Sequence, residues 1–307
     1  YMPIVSVVMP VFNRVTFVCS AVDSIMNQTL DDFEFIIVDD GSTDDTCDEI
    51  KKYANTDNRI KLLPLPSNGG QGLARALGND AATGRYIAVM DSDDKAMPDR
   101  LEKQVAFMER HTEVSLAGAR AIKVTSRGNI EMRMAREDAI IKSRLLLVDA
   151  AFVHPTVIMR RDFLIENNLN YGAQRHGDDD YEFYNRMVEA GAVFGNMEDV
   201  VLEYHRHGAN ITQTIKGHEA NKLPLKRFLL TLYYPDLTSR EIGALAVITQ
   251  RNFSCSLKKA VEGLLAGEKA ARMMESQYGE DRGELEKLVR WYMRRVEKHM
   301  NTIPGRG

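Results

Sequence analysis

Cysteine is scarce in this chain, and basic charge is not in excess. The 307 residues contain 3 cysteines, Cys19, Cys47 and Cys255. An odd number of scattered cysteines matches neither a disulfide framework nor a zinc cluster, so we expect a reducing, cytoplasmic compartment. The 40 basic residues are outnumbered by 44 acidic ones, which gives a net charge of -4. Because nucleic-acid binding usually requires a basic surface, this balance argues against a nucleic-acid partner.

Long hydrophobic runs and nucleotide fingerprints are missing as well. No apolar stretch reaches the roughly 18 residues that cross a bilayer, and the densest, 242–248, is far shorter. The chain opens directly into a strand-like run, which predicts that no signal peptide is present. Since Tyr1 is not a methionine, the sequence is compatible with an excerpt of a longer protein. Neither GxxxxGK[ST] nor GxGxxG occurs, so the P-loop and dinucleotide motifs are excluded.

The first half of the chain alternates short apolar runs with amphipathic stretches. Strands are predicted at 4–9, 33–38, 60–63 and 86–90, and helices at about 15–27, 43–54, 72–82 and 98–110. This alternation predicts an α/β fold with a mainly parallel sheet. The strands are apolar on both sides, which indicates that helices cover both faces. Ser42 is the predicted N-cap of the second helix.

The second half changes character twice. A hairpin is predicted around the turn at 126–129, followed by mixed helices and strands. From about residue 217 the pattern is helical only. We therefore expect one domain over 1–216, with a nucleotide-binding half at 1–105 and an acceptor half at 106–216, followed by a helical C-terminal extension at 217–307.

Acidic residues directly follow two of the predicted strands. In an open parallel sheet, ligands bind beyond the carboxyl ends of the strands. Asp91 and Asp93, on either side of Ser92, can converge on Mg²⁺ or Mn²⁺, or they form a solvated acidic turn. Asp39 and Asp40 can accept hydrogen bonds from a nucleotide base or ribose, or they cap the next helix.

Four ordered motifs together carry a family resemblance. They occupy Pro10–Arg14, Val38–Asp44, Asn68–Arg75 and Gly84–Gln104. Their order and spacing resemble glycosyltransferase family 2 densely over about residues 3 to 105 and more loosely to about residue 212. The resemblance implies a GT-A fold, which is a Rossmann-like mixed sheet flanked by helices. It also implies inverting transfer of a sugar from a nucleotide sugar.

The resemblance assigns roles to the nucleotide side of the expected site. Asp91-Ser92-Asp93 is similar to the family's DxD motif, in which Asp93 would hold Mn²⁺ or Mg²⁺ on the diphosphate and Asp91 would face the ribose or the metal. Asp40, with Asp39 beside it, would meet the base, most often uracil. The further residues implied to bind the nucleotide sugar are Pro10, Phe12, Asn13, Arg75 and Ser92.

The acid–base residue is expected in the second half. The stretch Gly177–Tyr184 resembles the family's Glu-Asp motif at the start of a helix. Asp180 aligns with the catalytic aspartate, which would take the proton of the acceptor hydroxyl, and Asp179 or Asp178 is the alternative in another register. From the residues alone, acids in a first helical turn also favour the helix dipole without any catalytic role.

Two histidines complete the expected site. His154, in the segment His154-Pro155-Thr156, would line the acceptor or donor-sugar pocket, and packing is the alternative role. The loop at 204–212 resembles a family segment that closes over the diphosphate. Within it His207 would contact the metal or a phosphate, with His205 as the second candidate.

A basic amphipathic helix is predicted near the C-terminus. Its apolar residues recur at helical spacing and are Leu285, Leu288, Val289, Tyr292, Val296 and Met300. Basic residues crowd the opposite side of this helix. Two interpretations remain open, which are peripheral contact with the cytoplasmic face of an anionic membrane and packing of the helix on its own domain.

The sequence thus predicts a metal-dependent inverting glycosyltransferase. Its donor would be a UDP-sugar, and its acceptor a hydroxyl of a glycan or a lipid-linked molecule in cell-envelope polysaccharide biosynthesis. Two alternatives stay open at this point. One is a nucleotidyltransferase that acts on a sugar phosphate, and the other is a non-catalytic scaffold with a GT-A fold.

Overall fold

The chain forms two compact units. The structure, a computed structural model, describes residues 2–147, 151–172, 179–205, 218–250, 255–273 and 278–301. The first unit consists of Tyr1–Arg136 and Phe152–Lys216, and the second of Glu137–Ala151 and Gly217–Gly307. Residues 137–151, within the expected acceptor half, therefore group with the C-terminal helices.

One mixed sheet organises the first unit. Its strands are β1 (Val5–Val11), β2 (Phe33–Asp39), β3 (Ile60–Pro64), β4 (Tyr86–Val89), β5 (Lys95–Ala96), β6 (Leu116–Thr125), β7 (Gly128–Met132), β8 (Ile158–Arg160) and β9 (Phe194–His205). Their order is β3-β2-β1-β4-β8-β6-β9-β5, with β7 paired to β6. The strands β1 to β4 run parallel, whereas β8 pairs antiparallel with both β4 and β6. The predicted α/β class is confirmed.

Helices follow most of the strands. They are α1 (Val18–Met26), α2 (Thr46–Ala54), α3 (Gln71–Ala81), α4 (Arg100–Arg110), α5 (Asp138–Leu147), α6 (Arg161–Glu166), α7 (Asp179–Glu189), α8 (His218–Tyr233), α9 (Ser239–Ile248), α10 (Leu257–Ala270) and α11 (Arg282–Asn301). A short 3₁₀ turn, His154–Thr156, precedes β8. Of these helices, α5 and α8 to α11 belong to the second unit.

The core of the first unit lies on both faces of the sheet. On one face, alternate residues of β1 join a buried cluster that includes Val22 and Ile25 of α1 and Leu101 of α4. On the other face, α3 packs closely because residue 78 is glycine. A Cβ atom at Gly78 would lie 2.4 Å from Cγ1 of Val8. Burial on both faces explains why the strands of the first half are apolar throughout.

Two strands were not predicted in detail, and one local prediction is wrong. The strand β9 pairs with β6 from its first residue, Phe194, and the short strand β5 pairs with β9. The predicted N-cap at Ser42 is wrong. Helix α2 begins at Thr46, and the Ser42 hydroxyl instead accepts a hydrogen bond from the backbone N–H of Asn13 at 3.0 Å.

The last helix of the second unit turns its apolar side inward. Leu285, Val289 and Val296 of α11 are buried, while Trp291 is 50% exposed among basic side chains. No helix in the described part of the chain is long and apolar enough to span a membrane. Contact between the exposed basic side of α11 and a membrane surface stays a prediction.

A buried carboxylate fixes the edge of the sheet remote from the carboxyl ends of the strands. Glu34 of β2 accepts hydrogen bonds from the Ser6 hydroxyl at 2.5 Å, from the Thr83 N–H at 2.7 Å and from the Lys61 ammonium at 2.5 Å. Burial alone would raise the pKa of Glu34, but these donors outweigh it and lower the pKa from 4.5 to about 2. The ionised carboxylate is therefore part of the fold.

We expect Glu34→Gln to destabilise the protein by about 1–3 kcal/mol at pH 7, because an amide cannot accept all of these bonds. A group whose pKa is lowered by folding stabilises the protein above its usual pKa and loses that effect as the pH falls through the folded value. The difference in unfolding free energy between wild type and variant should therefore shrink as the pH falls from 4.5 toward 2. Urea unfolding at several pH values measures it, and a difference that stays constant would contradict the assignment.

Candidate active site

A cavity of about 590 Å³ opens where β1, β2 and β4 end. Nine of the residues predicted from the sequence line it: Pro10, Phe12, Asp40, Arg75, Asp91, Ser92, Asp93, His154 and Asp180. All of them belong to the first unit. The strands thus bring together residues that are far apart in the chain, at the edge where ligands bind in open parallel sheets.

The remaining predicted residues fall into two groups. Asn13, Asp39 and Asp179 lie close to lining residues but do not line the cavity themselves. His207 and Asp178 lie outside the described residues. His205, the second candidate of the same loop, ends β9, and its backbone N–H donates to Asp94 at 2.8 Å.

Asp40 shapes one wall of the cavity. Its two carboxylate oxygens accept the backbone N–H groups of Gly69 at 2.6 Å and Gly70 at 2.8 Å. Gly70 has a φ of +94°, which an L side chain rarely adopts, and it directly precedes α3. Each carboxylate oxygen has a second lone pair, so Asp40 can hold this glycine loop and still accept a bond from a ligand.

Asn13 joins the loops after β1 and β2. Its side-chain oxygen accepts the backbone N–H of Thr43 at 2.8 Å, and its own backbone N–H donates to Ser42. Asn13 has a φ of +51°, a left-handed conformation in which asparagine is common. Asp39 supports the same loop by accepting the N–H of Ser42 at 3.1 Å. These two residues therefore position the loop that precedes α2.

Arg75 of α3 is the central cation of the site, and it is 4% exposed. Its guanidinium donates to Asp179 of α7 at 2.5 Å and to Asp91 at 2.9 Å. Gln71 donates to the other oxygen of Asp179 at 2.7 Å. Burial alone would lower the pKa of Arg75, but the charges of Asp179 and Asp91 outweigh it and raise the pKa. Asp179 is thus occupied as the buried partner of Arg75.

The acidic turn after β4 is crowded with charge. Burial raises the pKa of Asp91, with Arg75 opposing the rise and Asp93 adding to it. Burial, together with the charge of Asp91, raises the pKa of Asp94 to about 9, so Asp94 holds a proton at neutral pH. A protonated Asp94 reduces the repulsion among the three neighbouring carboxyl groups.

A buried cation lies directly behind this turn. Arg100 of α4 has no exposed surface and donates to the carbonyl of Val89 at 2.5 Å and to Gln104 at 3.0 Å. Burial lowers the pKa of Arg100 to about 10, with Asp94 and Asp91 opposing the fall, so Arg100 stays charged at neutral pH. The Arg-Leu-Glu-x-Gln part of the motif therefore supports the acidic turn from inside the fold.

The acidic turn fits a cation that is shared with substrate. Asp91 and Asp93 both line the cavity. Within the described part of the chain, no group of three or more His, Cys, Asp or Glu side chains is arranged to hold a metal ion. Mg²⁺ at phosphate sites usually takes one or two carboxylates and completes its shell with substrate oxygens and water.

Asp180 reaches the cavity from the first turn of α7. Its Oδ1 accepts the backbone N–H of Tyr181 at 2.7 Å. The neighbouring Asp179 points to Arg75 instead, so these two consecutive acids have different environments. Only Asp180 of this pair lines the cavity, which makes it the carboxylate that can reach a bound substrate.

Aromatic residues surround His154. Its Nδ1 lies 2.7 Å from the Tyr184 hydroxyl, and its ring contacts Tyr171 edge-on at 5.7 Å between centroids. Tyr171 also stacks on Phe183, and its ring lies under the Arg75 guanidinium at 5.9 Å. Burial lowers the pKa of His154 well below its usual range, with the charge of Arg75 adding to the effect. His154 is therefore neutral at physiological pH.

Several residues of the site were not among the predicted site residues. They are Arg14, Gln71, Met132, Phe152, Tyr171, Tyr184 and Tyr204. Arg14 and Tyr184 belong to the motifs Pro10–Arg14 and Gly177–Tyr184, so the sequence did point to them. Met132 sits in a stretch without any motif, and only the fold brings it to the cavity. Tyr171 is also outside any motif, and it lies against His154 and Arg75.

We expect Arg75→Met to destabilise the protein by about 3–5 kcal/mol, because it leaves Asp179 charged and buried without its partner. The double variant Arg75→Met with Asp179→Asn removes that stranded charge and should recover part of the loss. Urea unfolding of both variants measures the difference. A double variant as unstable as the single one would contradict the pairing.

Comparison with known proteins places these motifs in one family. The family model described as "Glycosyl transferase family 2" matches residues 6–169. An uncharacterized glycosyltransferase, MJ1057, from Methanocaldococcus jannaschii is 32% identical over 206 residues, covering 66% of this chain and 70% of the relative. The O-antigen biosynthesis glycosyltransferase WbnJ from Escherichia coli is 29% identical over 232 residues, covering 73% of this chain and 89% of the relative.

Solved structures share the fold at low identity. The S. aureus TarS fragment 1-349 in complex with UDP-GlcNAc has a TM-score of 0.66 at 19% identity and covers 96% of this chain and 92% of its own. The mannosyltransferase PcManGT from Pyrobaculum calidifontis, in complex with GDP-Man and Mn²⁺, has a TM-score of 0.57 at 16% identity and covers 100% of this chain and 76% of its own. With a family model that matches more than half of its length, this GT-A-fold chain belongs to glycosyltransferase family 2.

Proposed function

We propose that this chain is a metal-dependent inverting hexosyltransferase. It would transfer a sugar from a UDP-sugar to a hydroxyl of a glycan or lipid-linked acceptor, with Asp180 as the general base. The observation that carries the proposal is that Asp180 lines the same cavity as Asp91 and Asp93. An inverting transfer needs both a base for the acceptor and a site for the leaving diphosphate in one cavity.

The chemistry assigned to Asp180 is a single displacement. The acceptor hydroxyl gives its proton to the Asp180 carboxylate while its oxygen forms a bond to C1 of the donor sugar. The bond from C1 to the diphosphate breaks on the opposite face, and the diphosphate leaves with the electron pair. Because the acceptor oxygen attacks C1 from the face opposite the leaving diphosphate, the configuration at C1 is inverted.

Asp179 fits a positioning role better than a catalytic one. Its two oxygens are bonded to Arg75 and Gln71, and it is 2% exposed. A carboxylate so placed anchors the start of α7 and thereby holds Asp180 at the cavity. Of the three predicted candidates, Asp178 lies outside the described residues, and we assign the base to Asp180 rather than to Asp179.

The donor would bind where β1 and β2 end. Pro10, Phe12 and Asp40 line that part of the cavity, and Asp40 keeps a lone pair for a base N–H. The TarS structure holds UDP-GlcNAc in a chain of the same fold, which supports a UDP-sugar as donor. Arg75 reaches the nucleotide side indirectly, because its guanidinium is bonded to Asp91.

Mn²⁺ or Mg²⁺ would be held by Asp93 and Asp91 together with the donor diphosphate. The PcManGT complex contains Mn²⁺, which supports a divalent ion in this fold. When bound, such a cation stabilises the negative charge that develops on the leaving diphosphate. A contribution from His207 remains a prediction, because that residue lies outside the described part of the chain.

The name of one relative bears on the acceptor of this chain. The relative WbnJ is named for O-antigen biosynthesis, which favours an acceptor of the cell-envelope glycan class for this chain too. A cytoplasmic location, with the C-terminal helices peripheral to the membrane, stays a prediction.

Family membership argues against the nucleotidyltransferase alternative. The scaffold alternative would require a cavity without working carboxylates, and those of Asp91, Asp93 and Asp180 are present.

A thermal-shift panel of UDP- and GDP-sugars tests the proposal directly. With Mn²⁺ present, one UDP-sugar should raise the melting temperature of the wild type by a few degrees. A chelator should abolish the shift, since the cation bridges protein and diphosphate. With Mn²⁺ present, the UDP-sugar should not raise the melting temperature of Asp93→Ala, just as it should not raise that of the wild type in chelator.

The matched control is Asp48→Ala, because Asp48 is an exposed acid on α2 that pairs with Lys51. Stabilisation that survives both chelation and Asp93→Ala would remove the metal from the proposal and keep the donor. No stabilisation by any UDP- or GDP-sugar would overturn the proposed function.

We expect Asp180→Asn to lower kcat by about 10²–10⁴-fold, because the amide cannot accept the proton. Its affinity for the UDP-sugar should stay within about twofold of wild type, since the base acts on the acceptor. Initial rates and isothermal titration measure the two quantities.

Asp162→Asn provides a control with the same local geometry. Asp162 lies in the first turn of α6 and accepts the next backbone N–H at 2.8 Å, as Asp180 does in α7. It shares the interaction with a helix N-terminus but lies away from the cavity. Near-normal turnover of Asp180→Asn, or an equal loss in Asp162→Asn, would remove the base assignment.

A further inference from the structure

The 3₁₀ turn that carries His154 is held rigidly. The Thr156 hydroxyl donates to the Val153 carbonyl at 2.7 Å and accepts the backbone N–H of Ala119 at 3.0 Å. Gln104 donates to the Thr156 carbonyl at 2.7 Å. All of these bonds are buried and reach α4 and β6, so the position of the His154 ring is set by the core of the first unit.

The bond to Tyr184 determines which ring nitrogen of His154 carries the proton. Tyr184 is 4% exposed, and burial raises its pKa well above the usual range, so it keeps its proton. Among the described residues, the hydroxyl has Nδ1 of His154 as its hydrogen-bond partner, at 2.7 Å. We assign the hydroxyl as the donor to Nδ1, because the reverse direction would leave the hydroxyl proton without an acceptor among the described residues. In a neutral imidazole the other nitrogen, Nε2, then carries the hydrogen.

This leaves a buried donor without an acceptor at the cavity. Nε2 of His154 has no hydrogen-bond partner in the described part of the chain, and its residue lines the cavity. A buried N–H left unpaired destabilises the fold, so such a group calls for an explanation. A ligand oxygen that accepts this bond would supply one.

The surroundings indicate which kind of ligand oxygen fits. His154 lines the same cavity as Asp180, the proposed base. The Nε2–H group of His154 is uncharged, and the nearby guanidinium of Arg75 is already bonded to two carboxylates. The ring of Phe152 also lines the cavity beside it. A single uncharged N–H group among aromatic rings suits a sugar hydroxyl oxygen better than a phosphate as its hydrogen-bond acceptor.

We propose that His154 donates a hydrogen bond from Nε2 to a hydroxyl oxygen of the transferred sugar and that Tyr184 positions it by fixing the tautomer. This inference rests on the proposed function, since it assumes a sugar nucleotide in the cavity. It makes His154 a residue that selects the donor sugar, and Tyr184 a positioning residue that acts through it.

Two substitutions at His154 separate hydrogen bonding from packing. His154→Leu removes the donor, whereas His154→Gln keeps an N–H at nearly the same reach. With UDP-glucose and UDP-N-acetylglucosamine as probes, His154→Leu should lower kcat/KM for the active donor about tenfold. His154→Gln should recover most of that loss. Affinity for UDP alone should stay within about twofold in both variants.

Deoxy analogues of the active UDP-sugar identify the contact. The analogue that lacks the contacted hydroxyl should lose about tenfold in kcat/KM with wild type and little with His154→Leu. Tyr184→Phe should lower the discrimination between this analogue and its parent sugar, because the tautomer is no longer fixed. His111→Leu, a change at an exposed histidine after α4, is the matched control and should leave all these values unchanged.

The outcomes separate this inference from the function it rests on. If wild type binds no UDP-sugar, the proposed function fails and the inference fails with it. If wild type transfers sugar and His154→Leu matches it on every deoxy analogue, only the inference is overturned. An equal loss of affinity for UDP and for UDP-sugar in His154→Leu would show a structural role and would also overturn it.

Discussion

The pairing of Arg75 with two carboxylates is the interaction on which the candidate site depends. One buried guanidinium joins the helix after β3, the acidic turn after β4 and the start of α7. Without that positive charge, Asp91 would repel Asp179, which is buried at 2% exposure. The carboxylates can stand close together only because this cation stands between them.

Neighbouring acids along the chain have different tasks in this arrangement. Asp179 is bonded to Arg75 and Gln71, whereas Asp180 faces the cavity. The same division recurs after β4, where Asp93 lines the cavity and Asp94 is buried against the backbone of His205. In both pairs one acid is bonded within the fold and the other lines the cavity. The backbone turns these adjacent side chains in different directions.

The sequence predicted the strands β1 to β4 well, because each is a short apolar run between polar turns. Asp40, Asp91 and Asp93 could be foreseen, since parallel strands bring their carboxyl ends to one edge. The partner of Asp179 could not, because Arg75 lies 104 residues away and no local pattern links the two. The Ser42 cap failed for a related reason, since its hydroxyl is used by the loop after β1. Local rules cannot foresee bonds that the tertiary fold creates.

The double use of Asp40 has an evolutionary consequence. The same carboxylate that closes the glycine loop onto the end of β2 also lines the pocket expected for the nucleotide base. An asparagine here would turn an amide N–H toward a backbone N–H. A lineage that changes its base preference would therefore need compensating changes in the glycine loop, and neither step alone would be neutral. Substitution of Asp40 should therefore be slow, and a change of base preference should be accompanied by a second substitution in the glycine loop.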